Sequence, residues 1–366
     1  MVLKHGTVTL LVGSITTAMV TLLYHQHLHF SEAHTMQQHS VTSFSAEEGD
    51  FHVEQNKYLV TPSVRTSQFD KFSPLPQQVI DQVEKFVFFI GYTRSGHTIV
   101  SSVLDANPNV VIGQEFKVFR MVMLHNHAEL INNKSYLFNQ LYWKSWNESH
   151  FGVTSVNRAG EKYGVGILFN NYSWHGMYKS LRVIGYKSAA SATGMYRGNP
   201  SQFKQVYKRF SHTLQIPIHV IHVVRNPYDM IATKFMCKLR SRSKGQVPQS
   251  SESKDSANML LGSMAKVFWL ADGVLDMMMD PELDLKVLEV HNADFVKKPA
   301  ETVNRICAFL EVDCPEGYVQ ACKEKAYTHV SKTREAVHFS KQMITQIGQK
   351  LKNYPFFRRY AYNSID

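Results

Sequence analysis

Cysteine is scarce. Four occur in 366 residues, and no pair of them has the spacing of a zinc site. Internal repeats, an aromatic RNP pattern and a basic heptad array are absent too, so a nucleic-acid partner is not expected despite the basic charge. Acid is the sign in short supply. Thirty Asp and Glu against forty Lys and Arg leave a formal charge of +10, which points to an anionic ligand. No predicted core strand is followed directly by an Asp of the kind that holds magnesium in a triphosphatase. Lysine is missing from the one place where a nucleotide loop would need it. The frame Gly91-x-x-x-x-Gly96 continues with His97-Thr98, where a triphosphatase has Lys and then Ser or Thr.

What is present begins with an apolar N-terminus. Gly6 to Tyr24 is a run of 19 residues without charge, long enough at about 1.5 Å per residue to cross a bilayer core. It exceeds a usual signal-peptide core and lacks a good small-residue cleavage site, so an uncleaved anchor is expected. One Lys and no acid precede it, which puts residues 1–5 in the cytosol and the remainder in a lumen. Residues 25–84 are polar, rich in His, Ser and Gln, and read as a stem. Three sequons, at Asn133, Asn147 and Asn171, agree with a lumenal location. In an oxidising compartment Cys314 and Cys322 are close enough in sequence to bridge, whereas Cys237 and Cys307 lie in apolar helical contexts and read as buried thiols.

From Lys85 to Asp366 the pattern is one α/β domain. Apolar runs at 86–90, 110–112, 181–187, 216–224 and 283–290 have strand character, and helical periodicity separates them. This alternation predicts a doubly wound parallel sheet flanked by helices, P-loop-like in plan. Ligands bind such sheets at the carboxyl ends of the strands. Arg94, Lys187 and Arg225 all fall at or just after predicted strand ends.

Two elements carry the chemistry. In the first, Gly91 and Gly96 let the backbone curl so that the amides of Ser95, Gly96, His97 and Thr98 converge at a helix N-terminus, a nest for a phosphate. Arg94 adds fixed charge, and Ser95 and Thr98 add hydroxyls. In the second, "VVRNPYDMIAT", Arg225 ends a strand, Pro227 suits a first helical turn, and Thr233 lies eight residues after Arg225. Two cationic loops without a magnesium ligand suggest a nucleotide with phosphates at both ends, held without metal.

Together "GYTRSGHT" and "VVRNPYDMIAT" resemble the two nucleotide elements of the sulfotransferase family, whose donor is 3′-phosphoadenosine 5′-phosphosulfate (PAPS). The resemblance runs from about Lys85 to Tyr362, through "LEVHNADFVKKPAETVNRICAFLEV" and the late loop "SKTREAVHF". It implies that Arg94 to Thr98 hold the 5′-phosphosulfate, that Arg225 and Thr233 hold the 3′-phosphate, and that Lys332 and Arg334 close over the nucleotide. Thr233 stands where Ser is usual, and His97 replaces a common Thr. Glu115, 21 residues after Arg94, stands where membrane-anchored members such as tyrosylprotein sulfotransferases carry the catalytic base. Lys187 resembles the lysine that faces the leaving oxygen. The implied reaction is in-line displacement without metal, with Glu115, Lys187 and Arg94 as the catalytic set.

The implied protein is a Golgi type II membrane glycoprotein whose acceptor is a hydroxyl of a glycan, a tyrosine or a small molecule. A second copy of the chain is a candidate partner. The basic stretch Lys234 to Ser256 reads as a solvated loop that would attract an acidic acceptor only if it borders the site. A helical apolar pattern at Met259 to Met279 reads as core. Two other classes stay open. A P-loop kinase would need the missing Lys and magnesium ligands; a silent lumenal protein would keep the fold for recognition alone.

Overall fold

The structure, a computed structural model, describes residues 72–151, 154–156, 162–164, 174–242, 254–325 and 329–364. The expected tail, anchor and most of the stem lie outside the described residues. Among those described, no helix is long and apolar enough to cross a membrane. Order begins before the Lys85 expected from composition. Helix α1 (Gln77–Asp81) precedes the first strand, and Leu75, Ile80 and Val83 are buried in the core. Those three apolar residues are too few for a periodic signal.

The chain then runs β1 (Lys85–Gly91), α2 (His97–Asp105), β2 (Val110–Gln114), α3 (Val118–His125), α4 (Glu129–Asn132) and α5 (Lys134–Phe151). A short antiparallel pair, β3 (Thr154–Val156) and β4 (Lys162–Gly164), follows. Next come β5 (Val183–Lys187), α6 (Ala189–Gly198), α7 (Pro200–Leu214), β6 (Ile218–Val224), α8 (Pro227–Arg242) and α9 (Lys254–Met279). The last part holds β7 (Lys286–His291), α10 (Asn292–Lys297), α11 (Pro299–Leu310), α12 (Glu316–Lys325), a 3-10 turn at Thr333–Ala336 and α13 (Lys341–Leu351). The five long strands form one sheet in the order β2-β5-β1-β6-β7, every pairing parallel. The α/β reading therefore holds, with all five predicted strands in place to within a few residues at their starts.

Because both faces of a parallel sheet are covered, its central strands β1, β5 and β6 are buried along their whole length and mostly apolar. In β1, Phe86, Phe88 and Ile90 enter one core and Val87 and Phe89 the other. Strand β5 packs so closely beside β1 that a Cβ at Gly185 would come within 1.9 Å of the Val87 carbonyl oxygen. All five strands point the same way, so Gly91, Glu115, Lys187, Arg225 and Asn292 gather at one edge of the sheet.

Two expectations need correcting. The disulfide joins Cys307 to Cys314, with Cα atoms 6.0 Å apart, and Cys322 is a buried free thiol. Helix α11 ends in a left-handed Glu311 (φ 55°), which turns the chain back so that Cys314 meets the last turn of its own preceding helix. Burial pushes the Cys322 thiol up to about 12. The basic stretch is not a loop along its whole length, since α8 carries Lys234, Lys238 and Arg240 before the chain leaves the described residues. Of the sequons, Asn133 is exposed at a helix end, Asn147 lies within α5, and Asn171 is outside the described residues.

Candidate active site

The first loop has the backbone that its glycines were expected to allow. Gly91 (φ 127°) and Gly96 (φ 91°) are left-handed, and so is Arg94 (φ 71°), a costly conformation for a residue that carries a Cβ. Gly96 is the N-cap of α2 and offers no side chain, so the first amides of that helix have no internal cap. Ser95 is buried, donates to the Tyr92 carbonyl at 3.3 Å, and shares a 3.1 Å hydrogen bond with His97 Nδ1. Burial, and then the neighbouring Lys187 ammonium, lower His97 to about 4, so its ring is neutral. Arg94 is exposed at the tip.

The second loop touches the first. Arg225 donates from NH1 to the Arg94 carbonyl at 3.1 Å, and from NH2 to the Ser331 carbonyl at 3.1 Å and Thr333 Oγ1 at 3.3 Å. Thr233 Oγ1 lies 3.5 Å from Arg225 NH1 and 2.9 Å from Thr333 Oγ1. Three segments far apart in sequence thus meet at one guanidinium. Lys332 sits between Ser331 and Thr333, half-exposed, in a loose 3.8 Å ion pair with Glu335. Arg334 does not face this cup. It is 2 % exposed and forms a 2.5 Å ion pair with Asp229, itself 1 % exposed, while its NH2 donates to the Ser364 carbonyl at 2.7 Å. Its charge clamps the late loop onto α8.

Between the loops lies the carboxylate–ammonium pair. Glu115 directly follows β2, in a left-handed conformation (φ 53°), and Lys187 is the last residue of β5. Adjacent parallel strands in register (Gln114 opposite Lys187) place the two side chains together. Lys187 Nζ donates to Glu115 Oε1. The lysine is 0 % exposed and the glutamate 39 % exposed, so solvent reaches the pair from the carboxylate side. Burial raises the Glu115 carboxyl, but the charge and hydrogen bond of Lys187 outweigh it and leave it below the ordinary value. Ser101 Oγ, 2.7 Å from Gln114 Oε1, ties α2 to the end of β2 beneath Glu115.

Three neighbours were not foreseen. Thr193 on α6 accepts the Gly91 amide at 2.9 Å and anchors the start of the first loop. Asn292, opening α10, lies where a Cβ on Gly96 would come within 2.3 Å of its Nδ2. Thr333 joins the second cup. The order of cationic residues gave no hint of these, because each is a common polar residue whose meaning comes only from its spatial neighbours. The assembled edge provides a nest of amides, two guanidinium-bearing loops in contact, and a carboxylate paired with a buried cation. Among the described residues no group of His, Cys, Asp and Glu is arranged to hold a metal ion.

No curated protein sequence matches the chain significantly. Among solved structures, the chain is similar to the sulfotransferase domain of an olefin synthase from Synechococcus at 14% identity, with 74% of this chain and 94% of that one covered and a TM-score of 0.39. It is similar to a mouse sulfotransferase crystallised with PAP at 14% identity, covering 75% and 87% with a TM-score of 0.39. A sulfotransferase from Mycobacterium avium gives 10% identity, 76% and 79% coverage, and a TM-score of 0.40. Overlap at that level carries no argument about acceptor or site. The sequence itself decides: residues 84–364 match the family described as the sulfotransferase domain, and the chain belongs to that family of enzymes.

Proposed function

We propose that this protein transfers the sulfonate of PAPS to a hydroxyl of an acceptor. The observation that carries the reading is the contact of Arg225 with the Arg94 carbonyl, which makes one continuous cationic edge from two loops. The amides and hydroxyls of Ser95 to Thr98, with Arg94, would hold the 5′ end of the donor. Arg225, Thr233 and Thr333 would hold its 3′-phosphate, with Lys332 at the rim. Glu115 takes the acceptor proton as the hydroxyl oxygen bonds to sulfur, and the sulfur–oxygen bond to the 5′-phosphate breaks. Lys187, beside Glu115, supplies positive charge to the oxygen that departs with the bisphosphate. No metal is required in this reading, and PAP binding in the presence of a chelator tests that point.

The principal experiment offers radiolabelled PAPS with pooled glycans and tyrosine peptides to the full chain. Label is expected on an acceptor, and Glu115→Gln and Lys187→Ala should each reduce transfer by about a hundredfold or more. PAP binding with no transfer to any acceptor would instead favour a silent recognition protein. The uncharged segment Gly6–Tyr24 and the three sequons support placement as a Golgi type II membrane protein. Protease protection of the catalytic domain in intact vesicles checks that placement.

A further inference from the structure

Lys187 has more hydrogen-bonding capacity than its surroundings use. An ammonium group carries three N–H donors. The side chain is 0 % exposed, and among the described residues its one hydrogen-bond partner is Glu115. Two donors of a buried cation are left over, a costly arrangement unless something arrives to accept from them. The leaving oxygen of the sulfonate donor accounts for one. The other needs an acceptor of its own.

The first loop supplies a candidate. His97 opens α2, the helix that packs over β2 and β5. Those strands deliver Glu115 and Lys187. Four residues after His97, Ser101 Oγ donates to Gln114 Oε1 at 2.7 Å, and Gln114 lies opposite Lys187 in the parallel ladder. Residues i and i+4 share one face of a helix. The face that sets Ser101 on the end of β2 therefore carries His97 one turn further out, beside the pair, and the charges of Lys187 and Glu115 both act on its ring.

The ring is held by its other nitrogen. Ser95 donates its hydroxyl proton to the Tyr92 carbonyl at 3.3 Å, so its oxygen has only lone pairs to offer His97 Nδ1, 3.1 Å away. Nδ1 then carries the proton of the neutral imidazole, and Nε2 is a bare acceptor. Among the described residues nothing donates to Nε2. A lone pair in that place repels a phosphate or sulfonate oxygen. It suits an ammonium N–H.

We propose that His97 is a positioning residue for Lys187: with the donor bound, Nε2 accepts one ammonium N–H while a second turns to the oxygen between sulfur and the 5′-phosphate. Glu115 is thereby released to act as base. The acceptor oxygen bonds to sulfur, its proton goes to Glu115, and the electron pair of the breaking sulfur–oxygen bond leaves with the bisphosphate beside Lys187. This rests on the sulfotransferase reading. It keeps the His97 amide in the phosphate nest and takes the imidazole out of it.

Transfer from radiolabelled PAPS to pooled glycans and tyrosine peptides is measured with the full chain, wild type and with His97→Asn or His97→Gln. Asn can reproduce the contact of Nδ1 with Ser95 but does not reach the place of Nε2; the amide oxygen of Gln does. His97→Asn should lower kcat about tenfold or more while PAP affinity stays within about twofold, and His97→Gln should recover most of the loss. In the wild type the acid limb of kcat should lie above that of kcat/KM for PAPS, because Lys187 leaves Glu115 only in the complex. In His97→Asn the two limbs should coincide, which a merely structural role would not produce. A loss of PAP affinity equal to the loss of transfer, or full transfer by His97→Asn, overturns the proposal. An arm that needs no acceptor follows isotopically labelled histidine rings by nuclear magnetic resonance in the full chain, His97 being assigned by its absence from His97→Gln. Nε2 should carry no proton, and its resonance should shift on addition of PAP in the wild type but not in Lys187→Ala. A proton on Nε2, or the same shift in Lys187→Ala, overturns the proposal with the donor assignment intact. Should PAP not bind the wild type at all, the sulfotransferase reading itself falls, and the proposal with it.

Discussion

Glu115 and Lys187 are each other's counter-ion before any substrate arrives. The pairing keeps Glu115 deprotonated, so the carboxylate is ready for its proposed role as base over the whole neutral range. Its folded pKa is depressed, so its contribution to stability is present above the unfolded carboxyl value and is lost as pH falls through the folded one. Transfer should therefore decline only at acid pH, and Lys187→Ala should move that acid limb upward; a pH–rate profile of kcat/KM shows either outcome. Glu148 has the opposite sign. Burial raises it to about 7, despite a 2.9 Å ion pair with Lys144. Its stabilising state is the protonated one, complete below the unfolded value and lost as pH rises through about 7. Glu148→Gln should raise stability at pH 8 by about 1–2 kcal/mol and flatten its pH dependence between 5 and 8, read by denaturant unfolding.

At the scale of elements, the late loop is held by charge and the first loop by backbone form. Asp229→Asn would leave Arg334 buried without a full counter-charge, and a loss of about 3–5 kcal/mol is expected in thermal or denaturant unfolding. Because that clamp also positions Thr333, PAP affinity should fall with it. Cys314→Ser opens the loop closed by the Cys307 bridge, and a cost of about 2–3 kcal/mol follows from its seven-residue separation. These elements were unequally legible in sequence. The strands were, because β1 and β6 are buried on both faces and read as runs of mostly apolar residues, broken in β6 by His219 and His222. The disulfide partner was not, because the left-handed turn at Glu311 that brings Cys314 back has no glycine to announce it. The ion pair of Arg334 was hidden for a related reason, because its partner Asp229 lies 105 residues earlier.

At the scale of the whole molecule, one guanidinium joins segments around Arg94, Thr233 and Thr333. A nucleotide bridging those segments should stabilise the domain as a unit, by about 2.7 kcal/mol when PAP is present at 100 times its Kd. A single cooperative upward shift in melting is the expected record, and a separate early transition unaffected by PAP would contradict it. The general position of this edge was readable because parallel strands deliver their loops to one side. Its outer members, Asn292 and Thr193, were invisible for want of any sequence spacing that relates them to the glycines they touch.

Gly185 touches no ligand in any of these readings, yet it lies two residues before Lys187 in a strand that cannot move away from β1 without breaking the ladder. A methyl group there would have to wedge the two strands apart, and the ammonium at the strand's end would swing with them. Surveys for inactivating changes that look only at groups lining the cleft would overlook this position. The width of a single hydrogen atom in the middle of the sheet sets the aim of its chemistry at the rim.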